Sequence, residues 1–266
     1  MLEVEAWRRT IDEGRIDTYE AHLAAVTQVI QTVREQLCEP LTLEDMADIA
    51  CLSPYYFSRV FHSIVGVPPG EYLSAMRLDA AKRLLLTTTL SITDICFEVG
   101  YTGLGSFSTR FAQLVGLSPR HLRHTAKNVA VPSQTVLCEG RTPLSSTPRE
   151  NSLNGRIHTV STFNGLIFIG LFPKPLPQGR PVRCTVLSAP GPFCIDSIPA
   201  GRYYVMVAAF PLSDDPQAFL LPPETQLVGI HGPLFVGNGI LEMPVDIFLR
   251  PRRVTDPPVI LALPFV

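Results

Sequence analysis

The sequence predicts a multidomain α and β protein, in which an all-α domain with tandem helix-turn-helix units is followed by an all-β antiparallel sandwich. Three observations predict this organisation. A pattern of apolar residues occurs twice in the first half of the chain. Only five of the 25 prolines precede residue 129. The second half consists of short apolar runs separated by glycine and proline, which are typical of β-strands.

Changes in composition divide the chain into four parts. Residues 1–18 form an acidic N-terminal leader, and residues 19–128 form the helical domain. Residues 129–153 form a linker rich in proline, serine, threonine and arginine, and residues 154–266 form the sandwich. The leader lacks the apolar core and cleavage site of a signal peptide. No run approaches the ~18 apolar residues of a membrane span, so we expect a cytoplasmic protein without a membrane partner.

The helical half carries the same pattern at residues 41–73 and again at residues 90–122. Two copies are too few for a stacked array, which needs ~3 or more repeats, and they fit a tandem pair of helical modules better. The first copy contains Leu41, Leu43, Asp45, Met46, Phe57, Phe61, Val65, Gly66, Val67 and Pro69. The second contains Leu90, Ile92, Asp94, Ile95, Phe107, Phe111, Val115, Gly116, Leu117 and Pro119.

The first copy predicts a short helix at residues 43–50, a turn, and a second helix. Ser53 is expected to be the N-cap of the second helix and Pro54 its first residue. Phe57 and Phe61 are one helical turn apart, so they share the buried face. The residues left on the outer face are Tyr55, Ser58 and Arg59.

In the second copy, Gly100 is expected at the turn and Thr102 at the N-cap of the second helix. Phe107 and Phe111 repeat the buried aromatic pair. The residues left on the outer face are Gly105, Ser106, Ser108 and Thr109. An outer face with small hydroxyls suits the DNA major groove, where serine and threonine accept several bases and arginine prefers guanine. One copy alone would equally fit an ordinary helical hairpin, but the duplication favours a DNA-binding unit.

These motifs resemble the DNA-binding domain of the AraC/XylS family of bacterial transcription regulators. The resemblance covers residues ~20–125, about 40% of the chain. Many spaced elements agree at once, which makes it specific. The matching segments are residues 43–47, 53–61, 66–73, 76–85, 92–96, 100–101, 107–111 and 116–119.

The resemblance implies two helix-turn-helix units separated by one long helix at about residues 70–86, which would be ~24 Å long. Two recognition helices could then read successive major-groove segments of an asymmetric site. The implied base-reading positions are Tyr55, Ser58, Arg59, Leu104, Gly105, Ser106, Ser108 and Thr109. The residues expected at phosphates are Ser53, Arg83, Arg110, Arg120 and Arg123.

Two features depart from the family pattern. The second recognition helix often has an arginine where this chain has Thr109, and here the arginine is Arg110. Gly105 also replaces a residue with a side chain. We therefore expect fewer base contacts from the second helix than from the first, and more contacts with phosphate.

Charge supports DNA binding only when it is resolved by segment. The whole chain has a formal net charge of −2, which alone argues against a nucleic-acid partner. Residues 1–50 contain four basic and eleven acidic side chains. Residues 51–128 contain eight basic and four acidic side chains, so the positive charge lies where phosphate contact requires it. Arg77 lies in the predicted spacer helix, where a structural ion pair explains it as well as a phosphate contact does.

The second half predicts an antiparallel β-sandwich or small barrel. Residues 191–205 resemble the hairpin of transthyretin-like or carboxypeptidase-regulatory β-sandwiches, with Pro199-Ala200-Gly201 as the turn. Any hairpin with a tight turn could also use that sequence. The predicted strands are residues 156–163, 166–172, 182–187, 193–198, 202–210, 226–230, 245–250 and 259–263.

The sandwich is expected to sense a small-molecule effector or to form a homodimer through an edge strand. Regulators of the family usually place the sensor before the DNA-binding domain, so the order here is reversed. RNA polymerase is a further candidate partner, and activation and repression both remain open. The only ligand candidates are weak ones, since such residues more often lie in hairpins or cores. They are Arg202, Tyr203, Tyr204, His158 and His231.

The sequence gives little support for an enzyme, a metal site or a cofactor. Its six cysteines contain no Cys-x-x-Cys pair, its six histidines are scattered, and no phosphate loop or dinucleotide motif occurs. Cys51 and Cys96 are expected as buried thiols, and Cys184 and Cys194 as reduced thiols on facing strands. The Pro-Cys-His active-site sequence of related DNA-repair fusions is absent. The alternative from another class is a non-catalytic sandwich that binds a peptide or carbohydrate and is localised by its DNA-binding half.

Overall fold

The structure is a computed structural model. It describes residues 2–128, 151–213, 215, 217–223, 225–237 and 244–262. For residues 2–17, 127, 128 and 217 it describes the backbone alone. Most of the predicted linker, residues 129–150, lies outside these ranges. A helical domain in the N-terminal part of the chain is followed by a β-rich region. Among the described helices, none has the length and apolar character needed to span a membrane.

The chain divides into two compact units. Unit 1 contains Met1–Arg77 and Val254–Pro257, and unit 2 contains Leu78–Arg253 and Pro258–Val266. Unit 1 begins with α1 (Leu2–Glu35), followed by α2 (Leu43–Ile49) and α3 (Pro54–Val65). Helix α4 (Pro69–Thr87) belongs to unit 1 as far as Arg77 and to unit 2 from Leu78 onward.

The core of unit 1 forms where α1, α2 and α3 meet. Helix α1 buries Val26, Val29, Ile30 and Val33, a spacing that places these four side chains on one face of the helix. Met46 and Ala47 of α2 are buried, as are Phe57 and Phe61 of α3. The rings of Phe57 and Phe61 lie 5.6 Å apart, which confirms the predicted buried aromatic pair.

Unit 2 continues the helical part with α5 (Ile92–Glu98), α6 (Leu104–Val115) and α7 (Pro119–Asn128). Phe107 and Phe111 of α6 are completely buried, with ring centroids 5.7 Å apart. Gly116 ends α6 in the left-handed conformation, at φ 95°, as Gly66 ends α3 at φ 86°. The left-handed position is one that glycine adopts without the steric cost other residues meet. The two copies of the sequence pattern therefore fold with the same core pair and the same C-cap.

The β region, defined here as residues 151–253, contains eight strands and one short helix within the described residues. The strands are β1 (Leu153–His158), β2 (Gly165–Phe172), β3 (Arg183–Leu187), β4 (Pro192–Ile195), β5 (Gly201–Pro211), β6 (Leu227–Val236), β7 (Val245–Phe248) and β8 (Arg250–Pro251). Helix α8 (Gln217–Leu220) lies between β5 and β6.

The strands form two sheets. One has the order β4-β1-β7 and the other β3-β2-β5-β6-β8. Their pairings are antiparallel except for β1 and β7, which are parallel. Side chains from both sheets share one apolar cluster, which includes Ile157 of β1, Ile169 of β2, Val205 of β5 and Ile247 of β7. The opposite face of the five-stranded sheet carries a second cluster that includes Leu166, Phe172, Ala208 and Phe210.

The predicted hairpin at residues 191–205 is wrong. Strand β4 pairs with β1 in one sheet, whereas β5 pairs with β2 and β6 in the other. Ser197 has φ 57°, and the next residue, Ile198, is buried and donates its backbone N–H to Asn151 O. The chain therefore turns away from its first sheet at Ser197 and crosses to the second.

Three other expectations are corrected by the β region and the turn after α2. Residues 259–262 of the predicted last strand are not a strand. Cys184 and Cys194 are free thiols on strands of different sheets, so they do not face each other across a strand pair. Cys51 is exposed because it lies in the turn after α2, at φ 54°, while Ala50 takes the buried position.

Candidate nucleic-acid interface

In unit 1, α2 is held in place by a reciprocal cap at its N-terminus. Thr42 N donates to Asp45 Oδ2 at 2.8 Å, and Asp45 N donates to Thr42 Oγ1 at 3.1 Å. The Thr42 N–H, together with the Thr42 hydroxyl that donates to the same Oδ2 at 2.7 Å, favours the ionised carboxylate and holds the pKa of Asp45 below its ordinary value. The cap fixes where α2 begins and therefore where the turn to α3 falls.

The N-terminus of α3 is open by contrast. Ser53 occupies the N-cap position and Pro54 the first turn, as predicted, but the Ser53 side chain makes no capping hydrogen bond. No acidic side chain lies in the first turn of α3. The first backbone N–H groups of a helix have no intrahelical partner and attract anions. The Ser53 hydroxyl and these N–H groups therefore suit a phosphate oxygen.

The outer face of α3 presents an aromatic ring and a guanidinium together. The Tyr55 side chain is 75% exposed. Arg59, one turn later and also exposed, places its guanidinium carbon 5.9 Å from the centroid of the Tyr55 ring. A cation over an aromatic face is weakly attracted to it, which restricts the arginine without using its N–H donors. Ser58 lies beside them and is half-buried. This face can offer a bidentate donor to a guanine edge.

Sequence reasoning missed Tyr56, the neighbour of Tyr55. Its hydroxyl lies 3.3 Å from Nε2 of His22 on α1, and the two rings meet edge-on with centroids 5.6 Å apart. Tyr56 is 44% exposed, so part of its ring remains on the surface. The contact braces α3 against α1. No spacing rule relates the two residues, because they come from different helices.

In unit 2, α5 repeats the cap of α2. Asp94 N donates to Ser91 Oγ at 3.0 Å, and Ser91 N donates to Asp94 Oδ2 at 3.3 Å. Helix α6 begins one residue later than predicted, with Gly103 rather than Thr102 at its N-cap. The Gly103 N-cap supplies no side-chain hydrogen bond, so the N-terminus of α6 is as open as that of α3.

The outer face of α6 carries smaller side chains than that of α3. Leu104 is 39% exposed. Gly105 has no atom within 4 Å of where a Cβ would lie, so the position is open to solvent. The Ser106 hydroxyl donates to Gly103 O at 2.8 Å, which commits its proton and leaves its oxygen as an acceptor. Ser108 is half-buried, and Thr109 and Arg110 are exposed.

The arginines predicted at phosphates fall into two groups. Arg83 on α4 and Arg120 on α7 are exposed. Arg123 is half-buried rather than outward, because its Nε donates to Leu85 O at 3.2 Å. In unit 1, Arg77 has the structural role that its position suggested. It donates to two backbone carbonyls, Leu37 O at 2.9 Å and Glu39 O at 2.7 Å.

The five weak ligand candidates of the β region do not line a single site. Arg202 donates to the Tyr204 hydroxyl at 2.7 Å, and both side chains lie on one face of β5. Tyr203 is on the opposite face, in the cluster shared by the two sheets. His158 on β1 lies 2.7 Å from Asp246 Oδ1 and stacks on a phenylalanine of β7. His231, on β6, is half-buried opposite Val205.

Comparison with known proteins shows relatives of the helical half. The family described as "Helix-turn-helix domain" matches residues 46–125. The "Bifunctional transcriptional activator/DNA repair enzyme AdaA" of Bacillus subtilis is 35% identical over 102 residues, which cover 38% of this chain and 48% of that protein. The "HTH-type transcriptional activator AarP" of Providencia stuartii is 32% identical over 94 residues, which cover 35% of this chain and 70% of that protein.

Among solved structures, the C-terminal domain of AraT, a response regulator from Geobacillus stearothermophilus, is 34% identical with a TM-score of 0.37. The match covers 38% of this chain and 84% of that one. The chain thus spans about half the length of the first relative and most of the second. With the family match and the similarity to AarP, the chain belongs to the AraC/XylS family of transcription regulators.

Proposed function

We propose that this chain is a sequence-specific DNA-binding transcription regulator, in which α3 and α6 read successive major-groove segments. The observation that carries the proposal is that one pair of helices occurs twice, as α2 with α3 and as α5 with α6. In each pair the first helix is capped, the N-terminus of the second helix is open, and a buried aromatic pair fixes which residues face outward. A repeated outward face on a rigid core is what a reader of two groove segments requires.

The chemistry of the two faces differs. On α3, Arg59 is the donor suited to guanine, and Tyr55 and Ser58 complete the base-reading set. On α6, the base-reading set is Leu104, Gly105, Ser106, Ser108 and Thr109, in which hydroxyls predominate. Such groups discriminate less than a bidentate arginine. We therefore assign most of the sequence preference to α3.

Phosphate contacts position the protein without reading sequence. We assign them to Arg83, Arg110 and Arg120, and to Ser53 at the open end of α3. Arg123 is left out of this set because its Nε is used within the fold. Each neutralised phosphate makes the affinity fall more steeply with salt.

The finer architecture belongs to the same proposal. We infer a tandem arrangement of two helix-turn-helix units in residues 19–128 and a β-sandwich in residues 154–266, joined by a linker at 129–153. The shared apolar cluster of the two sheets supports the sandwich. We also infer that the chain is not an enzyme. The relative AdaA is named a DNA repair enzyme, but the Pro-Cys-His sequence expected of such a site is absent here.

The β region is proposed to modulate DNA binding, through a small-molecule effector or a homodimer contact. The names of AdaA and AarP describe activators, which favours activation and a contact with RNA polymerase. None of the five ligand candidates is central to this role, because they are spread over different faces and strands.

Hydroxyl-radical footprinting of the full-length chain on a selected DNA site tests the two-helix reading. The expected result is two protected patches about one helical turn apart on one face of the duplex. Arg59→Ala should weaken the patch that α3 covers. A single patch in the wild-type footprint would contradict reading by two helices.

A further inference from the structure

The C-terminus of α6 is capped by residues far away in the chain. The last four carbonyls of a helix have no intrahelical partner. In α6 the carbonyl of Leu114 accepts from Gly179 N at 2.7 Å, and the carbonyl of Val115 accepts from Ala262 N at 3.0 Å. Both donors lie beyond residue 128, in the part of the chain that follows the helical domain. The second recognition helix therefore ends on backbone groups that its own motif does not contain.

One of these donors belongs to a buried segment, residues 259–262, which we name the C-terminal clasp. Val259, Ile260, Leu261 and Ala262 are each at most 7% exposed. Leu261 packs in the cluster on the outer face of the five-stranded sheet, with Phe210 and Phe219. Leu261 thus packs the clasp against the sheet, while the N–H of Ala262 donates to α6.

A third anchor joins the clasp to the spacer helix α4. Lys82 is completely buried, and its Nζ donates to Val259 O at 2.8 Å. Asp79, one turn earlier on α4, lies 3.5 Å from the same Nζ. Burying a lysine costs free energy unless its donors are satisfied, and an apolar side chain at this position would not carry that cost. What a lysine adds here is a donor that reaches the clasp carbonyl.

We propose that the C-terminal clasp, together with Gly179 and Lys82, positions the second recognition helix for DNA. Gly179, Ala262 and Lys82 are positioning residues that do not contact DNA themselves. The β region and the clasp thereby set how α6 presents residues 104–109. The bonds from Gly179 and Ala262 transmit a change to α6 directly, and the bond from Lys82 acts by holding the clasp. The inference rests on the proposed function, since α6 must read DNA for its position to matter.

The two recognition helices should therefore respond differently when the clasp is loosened. Helix α3 ends with a local bond from Gly66 N to His62 O, and it belongs to unit 1. Helix α6 ends with the equivalent local bond, from Gly116 N to Ala112 O, and in addition accepts from the distant amides of Gly179 and Ala262. Loss of an anchor should reduce base discrimination in the half-site read by α6, and leave the half-site read by α3 nearly unchanged. A general loss of folded protein would lower apparent binding to both halves alike.

The test uses the full-length chain and a site obtained by selection with the wild type. Arg59→Ala identifies which half α3 reads. Lys82→Met removes the donor to Val259 O while keeping the length of the side chain. Gly179→Ala places a Cβ 3.2 Å from Gln113 O, at a position with φ 66°, and so strains the bond to Leu114. Lys174→Met, at an exposed lysine of the β region, is the charge-matched control.

The measured quantity is the affinity ratio between the selected site and sites altered in one half. Lys82→Met and Gly179→Ala are expected to reduce discrimination in the α6 half by about tenfold, the order of one lost base contact. Discrimination in the α3 half should stay within about twofold, and Lys174→Met should change neither half. An equal loss in both halves, or no loss in either, would overturn the proposal.

Amide hydrogen exchange separates this inference from the proposed function. In the wild type, the Gly179 and Ala262 amides should exchange slowly, and Lys82→Met should speed the exchange of Ala262. A wild-type chain that selects no DNA site contradicts the proposed function, and with it the role of the clasp in DNA reading. Slow exchange would then still support the clasp as an anchor of α6, whereas fast exchange in the wild type would overturn it.

Discussion

At the scale of single residues, the two reading faces are unequal. Arg59 is exposed on α3 with its guanidinium over the Tyr55 ring, whereas Thr109 on α6 offers one hydroxyl. Arg59→Ala is expected to relax base preference at one position by a factor of about ten or more, and Thr109→Ala by far less. Binding-site selection with both variants measures this. Equal losses of preference would contradict the assignment of most sequence reading to α3.

Lys82 gives a prediction about pH. Burial lowers its pKa from the ordinary value of 10.5, and Asp79 offsets this only in part. Between the lowered pKa and 10.5, the unfolded chain binds more protons at this site than the folded chain. The free energy of unfolding contributed by Lys82 therefore rises with pH across that window and is constant below it.

Denaturant unfolding of the wild type and of Lys82→Met, at a series of alkaline pH values, measures this effect. The stability difference between the two should shift in favour of the wild type as pH rises. Other lysines and tyrosines titrate in both proteins, so they cancel in the difference. A difference that does not change with pH would show that Lys82 keeps its ordinary pKa in the folded chain.

The residues that the sequence identified least well are those whose role depends on distant partners. The outward faces of α3 and α6 follow from helical spacing, because Phe57, Phe61, Phe107 and Phe111 fix the buried side. Arg123 looked like a phosphate ligand, but its Nε donates to Leu85 O. That carbonyl is 38 residues away in sequence, and nothing local indicates it.

At the scale of elements, the ends of α6 decide how the helix is held. Gly116 at φ 95° ends the helix, so Gly116→Ala should destabilise the chain by roughly 1–2 kcal/mol. Gly105→Ala is the matched control, since it makes the same change in the first turn of α6, where nothing lies within 4 Å. It should be neutral or stabilise by up to about 0.5 kcal/mol. Thermal unfolding compares the two, and equal effects would contradict this account of the C-cap.

The helices were easier to predict than the pairing of the strands. The helical pattern occurs twice, so each copy supports the helices predicted from the other. Caps such as Thr42 with Asp45 involve residues three apart in sequence, so they can be recognised locally. Most β-strands also lie close to the predicted runs. Their partners do not follow from the sequence, because adjacent runs such as β4 and β5 can enter different sheets. Residues 259–262 have the apolar composition of a strand but pack as the clasp, and composition alone does not distinguish the two.

At the scale of the whole molecule, the helical part does not contain all of its own anchors. A fragment of residues 1–128 lacks Gly179, Val259 and Ala262. It therefore lacks the two distant donors to the C-terminus of α6 and the carbonyl that accepts from Lys82. It should retain base preference in the half-site read by α3 and lose about tenfold in the other half. Competition binding with half-altered sites compares the fragment with the full-length chain. Equal discrimination in both proteins would show that α6 needs no support from the β region or the clasp.

Reading of DNA sequence through two recognition helices is best tested by binding-site selection with the full-length protein at several salt concentrations. If α3 and α6 both read bases, selection should enrich one asymmetric site with two preferred segments about 10 base pairs apart. Phosphate contacts by Arg83, Arg110 and Arg120 should give a slope of log affinity against log salt of roughly −3. Failure to enrich any sequence, together with a slope near zero, would contradict DNA reading by the two helices.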